Sequence, residues 1–129
     1  MSNIDDRPVS VPLSDAVSVS DPEALGRLRQ WGGDKLVGDM VGLFLSQAPD
    51  RIAAARAGLE TGTPTDVQRA VHALRSSSGQ IGASRVQALC AEIESRAAGG
   101  DLTGVADLLA SLEHEFSRYE AGTERAGPS

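Results

Sequence analysis

Apolar residues recur at steps of three and four over most of this chain, and the gaps between such runs fall at glycine, proline and aspartate. That spacing is the helical period. Val37, Val41, Phe44, Ala48, Ile52, Ala55 and Leu59 form one stripe, which predicts a helix over about 34–60. Pro49 lies inside it and removes a backbone donor. Because the stripe keeps its phase across the proline, a kink is expected there rather than a break. Leu36, Met40 and Leu43 add a second apolar edge to the first half only, a surface either covered by a neighbouring helix or left open for docking. Thr63-Pro64-Thr65-Asp66 reads as the next helix start, with Thr63 as N-cap, Pro64 at the first position and Asp66 completing a variant capping box. The helix it opens carries Val67, Ala70, Val71, Leu74, Ser78 and Ile81 on one stripe and ends near 80–82. A helix over about 83–98 then buries Val86, Leu89, Cys90 and Ile93, and Gly99-Gly100 stops it. Asp101 caps the last helix, where Leu102, Val105, Leu109, Leu112, Phe116 and Tyr119 make the cleanest stripe in the chain.

Ahead of these, Asp21-Pro22-Glu23 is a helix start with an aspartate cap, a proline in the first position and an acid in the first turn. The short helix it opens runs to about Gln30, presents Leu25 and Leu28, and is stopped by Gly32-Gly33. Residues 1–20 alternate Ser, Val, Pro and Asp without a helical period and read as a flexible arm. From 122 to 129 the chain is polar and reads as a disordered tail. The fold class expected is therefore all-α: an antiparallel four-helix bundle over 21–121 with a short additional N-terminal helix as a lid on one end.

Composition narrows this without changing it. At 129 residues the chain suits one core and not two. Only 3% of residues are aromatic, which fits packed helices better than a sheet. The net charge of −6 argues against nucleic acid or an anionic membrane as the main partner. That acidity is uneven: between Pro64 and Arg85 stand Arg69, Arg75 and Arg85 against Asp66 alone, a local balance of +2. The single cysteine, Cys90, falls on an apolar stripe and reads as a reduced core thiol. No apolar run reaches membrane-spanning length and the first residues lack the pattern of a signal peptide, so the protein is read as cytoplasmic.

His72 is the candidate for chemistry. It lies off the apolar stripe of its helix, on the water side, among Gln68, Arg69, Arg75, Ser76 and Gly79. Small residues at i+4 and i+7 leave the ring open to close approach by another molecule, and a neutral imidazole nitrogen so placed is a nucleophile near pH 7. Other chemistries lack their residues. A carboxylate-bridged metal site needs Glu-x-x-His pairs, yet Arg69 and Ser111 stand three before His72 and His114, so no metal is expected. There is no Gly-rich phosphate loop for ATP. Ser76, Ser77 and Ser78 are successive on one helix, with no orienting acid in view. His114, between Glu113 and Glu115, reads as a solvated residue.

The run from His72 to Ala83, His-Ala-Leu-Arg-Ser-Ser-Ser-Gly-Gln-Ile-Gly-Ala, resembles the phosphoacceptor segment of histidine-containing phosphotransfer (HPt) domains, written HxLKGSSxxxGA. The likeness extends in order along the chain. Trp31-Gly32-Gly33-Asp34 resembles an LGGD element, Phe44 with Ala48-Pro49 an F…AP element, and Leu89-Cys90 with Ile93-Glu94 an LCxxLE element. Gly100-Asp101-Leu102 then resembles a GDL turn, so roughly residues 22–120 are covered. Two positions depart from the pattern: Arg75 replaces the usual lysine, and Ser76 the glycine after it.

The resemblance implies a carrier that accepts a phosphoryl group on His72 from a receiver-domain aspartate and passes it to another, with no ATP-dependent kinase activity. It implies attack through Nε2, with Arg75 contacting the phosphoryl oxygens. Gln68, Arg69, Ser76, Gly79, Gln80, Met40 and Leu43 would surround the site or dock the partner. Partners would be response-regulator receivers or a hybrid histidine kinase, and Mg²⁺ would come with the receiver, leaving this chain without a cofactor of its own. A monomer is expected. The competing reading, which Ser76 keeps open, is an adaptor of the same fold that docks onto a kinase or regulator without being phosphorylated. A third, a structural helical dimer, would bury His72 in its interface.

Overall fold

A computed structural model describes residues 21–126, with side chains through Thr123. The expected N-terminal arm lies outside the described residues. Four helices follow in order: α1 (Pro22–Glu60), α2 (Pro64–Gln80), α3 (Ser84–Ala98) and α4 (Val105–Ala126). No strand is present among the described residues. Each connection is short, so sequential neighbours run antiparallel. α1 packs on α2, α2 on α3 and α3 on α4, and α4 returns against α1 to close the bundle.

Asp21 caps α1, its Oδ1 accepting from the Glu23 N–H at 3.0 Å, with Pro22 in the position that needs no donor. Helical geometry is interrupted where the Gly32-Gly33 stop was expected. Gly33 leaves helical geometry at φ 71°, ψ −166°, so α1 is two helical segments that meet at a kink there, the second running to Glu60. That φ is open to glycine and strained for other residues. Pro49 does not split the helix, and Phe44, Ala48, Ile52 and Ala55 are buried in one phase on either side of it.

The start of α1 is pinned to the turn that ends α2. The Asp21 N–H donates to the Gly82 carbonyl at 2.6 Å. Gly82 has φ 76°, and a Cβ there would stand 2.5 Å from the Asp21 carbonyl oxygen and 3.0 Å from the Ala24 Cβ. Both the backbone conformation and the close approach require glycine.

The core is built from the expected stripes. Val67, Val71 and Leu74 of α2 meet Val86, Cys90 and Ile93 of α3 and Leu109 and Leu112 of α4, all at or near zero exposure. Phe44 binds α1 to α4 through edge-on contacts with Phe116 (5.7 Å between centroids) and Tyr119 (5.6 Å). Burial pushes the Cys90 thiol up to about 12, with the Glu94 charge adding to the effect, so the cysteine is a neutral core residue.

Two caps differ from expectation because local hydrogen bonds compete for the capping groups. Thr63 occupies the N-cap of α2, but its hydroxyl pairs with the Thr61 hydroxyl at 2.9 Å instead of capping the helix. Asp101 accepts from the Thr103 N–H at 2.9 Å, closing a turn, and α4 starts only at Val105. At its far end α4 continues to Ala126, past Gly122 where the tail was expected to begin.

Candidate functional site

The stripe that buries α2 also aims His72. With Val71 and Leu74 in the core, the ring is left on the outer face with its side chain 63% exposed. From α3, with Ile93 buried beside it, Glu94 reaches the same place and is only 13% exposed. His72 Nδ1 and Glu94 Oε2 are 2.6 Å apart, and Arg75 Nη1 donates to Glu94 Oε1 at 2.8 Å. One carboxylate thus orients both the imidazole and the guanidinium, one oxygen to each.

Desolvation alone would push the Glu94 carboxyl up. Hydrogen bonds from Arg75 and His72, together with their charges, outweigh that burial and hold it below the ordinary carboxylate range. Ionised, Glu94 can only accept, so Nδ1 carries a proton, and in the neutral ring it is the protonated nitrogen. Nε2 then carries the lone pair. The arrangement supplies an exposed nucleophile with a defined tautomer and an adjacent cation with donors in hand.

Glu94 was not among the residues singled out for this site from the sequence. The available signal was its place at the end of the LCxxLE-like element, a position that reads as helix pattern until α3 is laid against α2. The remaining candidates fall as follows. Arg69 and Ser76 are exposed beside the histidine face and Gln68 is half-buried. Gly79 is half-buried beneath the Gln87 side chain of α3; a Cβ there would come within 2.5 Å of the Gln87 amide nitrogen. Ser77 donates to the Ala73 and Leu74 carbonyls, and Ser78, fully buried, donates to that of Arg75. His114 is exposed on α4, away from His72 on α2.

Met40 and Gln80 meet in a shallow groove of about 460 Å³, together with Leu28, Trp31, Leu36 and Gly79. Met40 is half-buried against the core, Leu43 is 56% exposed and Trp31 86% exposed. The first part of α1 therefore covers the second apolar edge only in part. The groove runs up to Gly79, which lies two turns along α2 from His72 on the same face, roughly 10 Å by helix rise.

The local balance of +2 counted along the sequence does not survive folding. Arg85 is buried at 5% exposure and forms a two-pronged pair with Glu115 of α4, Nε to Oε1 at 2.8 Å and Nη2 to Oε2 at 3.0 Å. The Arg85 hydrogen bonds hold the Glu115 carboxyl below its ordinary value despite burial. Arg75 shares Glu94, so of the three arginines Arg69 is the one that stands exposed outside these two pairs. Among the described residues no helix is long and apolar enough to cross a membrane.

The Hpt domain family matches residues 39–122. No curated protein matches the sequence. Among solved structures, the crystal structure of histidine-containing phosphotransfer protein B (HptB) from Pseudomonas aeruginosa PAO1 is similar, with a TM-score of 0.79 at 21% identity. The alignment covers 85% of this chain and 95% of that one, a likeness of fold.

Proposed function

The chain belongs to the Hpt domain family, and we propose that it is a phosphoryl carrier of a two-component phosphorelay, with His72 as the acceptor. The observation that carries this reading is the Nδ1 contact to Glu94 at 2.6 Å on an otherwise exposed ring. It leaves Nε2 as the lone-pair nitrogen of an accessible imidazole, the state that phosphoryl acceptance needs.

In the forward step the Nε2 lone pair attacks the phosphorus of a receiver's aspartyl phosphate. The N–P bond forms, the P–O bond to the aspartate breaks, and the carboxylate leaves with the electron pair. Such transfers are governed by in-line positioning and by neutralising charge on the equatorial oxygens. Arg75 engages Glu94 through Nη1, which leaves further guanidinium donors for the phosphoryl oxygens. The receiver contributes its own Mg²⁺ and aspartate; this chain contributes a positioned ring and holds the group between partners, without kinase activity of its own. Leu43, Met40 and the groove beside Gly79 and Gln80 supply an apolar surface for docking, with Gln68 and Arg69 flanking the ring.

Ser76 is exposed and small, one turn from His72, which supports acceptance rather than obstruction. The test is incubation with phosphorylated receiver domains. Wild type is expected to take up an acid-labile, alkali-stable label, and His72→Gln to stay unlabelled with unchanged helicity. Labelling of the variant refutes the assignment. A wild type inert towards every receiver, with Ser76→Gly accepting phosphate, establishes the docking-only adaptor.

A further inference from the structure

Phosphorylation changes what the other ring nitrogen is. When Nε2 of the Nδ1–H tautomer forms an N–P bond, the ring becomes a cation, with Nδ1 still protonated. In water such a ring sheds that proton around neutral pH. The deprotonated form keeps its phosphoryl group, because the leaving group would then be an imidazolate anion; the protonated form releases a neutral imidazole. The fate of one proton therefore decides whether the group is handed on or retained.

Resting on the phosphotransfer reading above, we infer that Glu94 is a positioning residue for the onward step, retaining the Nδ1 proton in the phosphorylated protein so that His72 releases its phosphoryl group across the neutral range. The geometry is already in place: Oε2 lies 2.6 Å from Nδ1, and Oε1 is anchored by Arg75 at 2.8 Å, so the carboxylate cannot swing away without breaking a second contact. At 13% exposure its charge is only partly screened.

No proton moves in either direction. On acceptance the neutral ring gains the phosphoryl group and keeps its Nδ1 proton, held on Glu94. On release the N–P bond breaks, its electron pair returns to Nε2, and the neutral Nδ1–H ring is restored, ready for the next turn. The groups around Nδ1 are few. From α3 come Glu94 and, one turn earlier, the buried and neutral Cys90. From α2 come Arg75, whose charge is shared with Glu94, and exposed Arg69. From α1, Arg51 and, from the start of α2, Asp66 line a separate groove with Arg69. A carboxylate in hydrogen-bond contact raises the proton affinity of a cationic ring by about one pH unit or more.

The experiment uses the full chain, phosphorylated with phosphoramidate, as wild type, Glu94→Gln and Glu94→Asp, each checked for helicity. The Nδ1 proton is followed by ¹⁵N NMR of the phosphorylated ring, alongside loss of the phosphoryl group to an unphosphorylated receiver, from pH 6 to 9. In wild type and Glu94→Asp both profiles are expected to fall off at higher pH. In Glu94→Gln both midpoints move down by about one unit, so that transfer at pH 8 drops roughly tenfold. Coincident profiles for wild type and Glu94→Gln overturn the inference while leaving His72 as the acceptor. Failure of His72 to take up a phosphoryl group in any of the three proteins overturns the phosphotransfer reading, and this inference with it.

Discussion

Replacing Glu115 by alanine removes the carboxylate that pairs in two prongs with the buried Arg85 guanidinium. The two side chains are 6% and 9% exposed and meet through contacts of 2.8 and 3.0 Å that join the start of α3 to the middle of α4. Removing one partner of such a pair costs about 3–5 kcal/mol, because a desolvated charge is left behind. Arg85 is the second residue of α3, close enough to the helix end to reach water at some expense, which places the cost near 3 kcal/mol. Against a total stability of roughly 5–15 kcal/mol this is a large fraction. At about 4 °C per kcal/mol for a domain of this size, the melting temperature should fall by about 12 °C.

Urea and thermal unfolding followed by circular dichroism give the difference directly, and the double variant Arg85→Met/Glu115→Leu should recover most of the loss. The pH dependence has a defined sign. The Glu115 carboxyl is held below its ordinary value of 4.5 in the folded state, so its contribution is complete above that pH and disappears as the pH falls through the folded value. The gap between wild type and Glu115→Ala should therefore be steady at neutral pH and close on acidification. A Glu115→Ala protein within about 0.5 kcal/mol of wild type, or a double variant less stable than the single one, would show that the pair is not the buried interaction argued here.

Leu112→Ala, at a side chain with zero exposure, should cost about 2–5 kcal/mol in urea unfolding while leaving phosphoryl uptake per folded molecule unchanged. Ser76→Leu should leave the unfolding curve nearly unmoved and block labelling of His72, because the larger side chain stands one turn from the ring on the same face; uptake at the wild-type rate would refute that placement. Gly82→Ala should lower stability by about 1–3 kcal/mol through its positive φ, and speed hydrogen exchange at the Glu23 and Ala24 amides as the new Cβ pushes the Asp21 carbonyl away.

Helical periodicity alone carried the bundle. Stripes such as Val67–Ala70–Val71–Leu74 and Val105–Leu109–Leu112–Phe116 have one way to be buried, and short Gly- or Pro-marked turns leave antiparallel packing as the simple arrangement. The same periodicity placed His72 outside the core, since a residue off the stripe of a packed helix faces water. Arg75, Ser76 and Gly79 followed from spacing on one helix. Helix caps were less legible, since Thr63 and Asp101 had alternative hydrogen-bond partners two residues away, whereas the Gly32-Gly33 interruption was legible because Gly33 takes the positive φ at the kink.

What spacing along one helix could not reveal is which charges meet across helices. Glu94 stands 22 residues from His72 and Glu115 30 from Arg85. Glutamates on solvent-facing and core-flanking positions look alike in sequence, and only the packing of α3 between α2 and α4 assigns one to His72 and the other to a buried arginine. Folding therefore removed a positive charge from the expected patch and added a carboxylate to the site. Both outcomes have one physical cause: an ion pair forms where two helices bring opposite charges together out of water, and that distance is set by the tertiary structure.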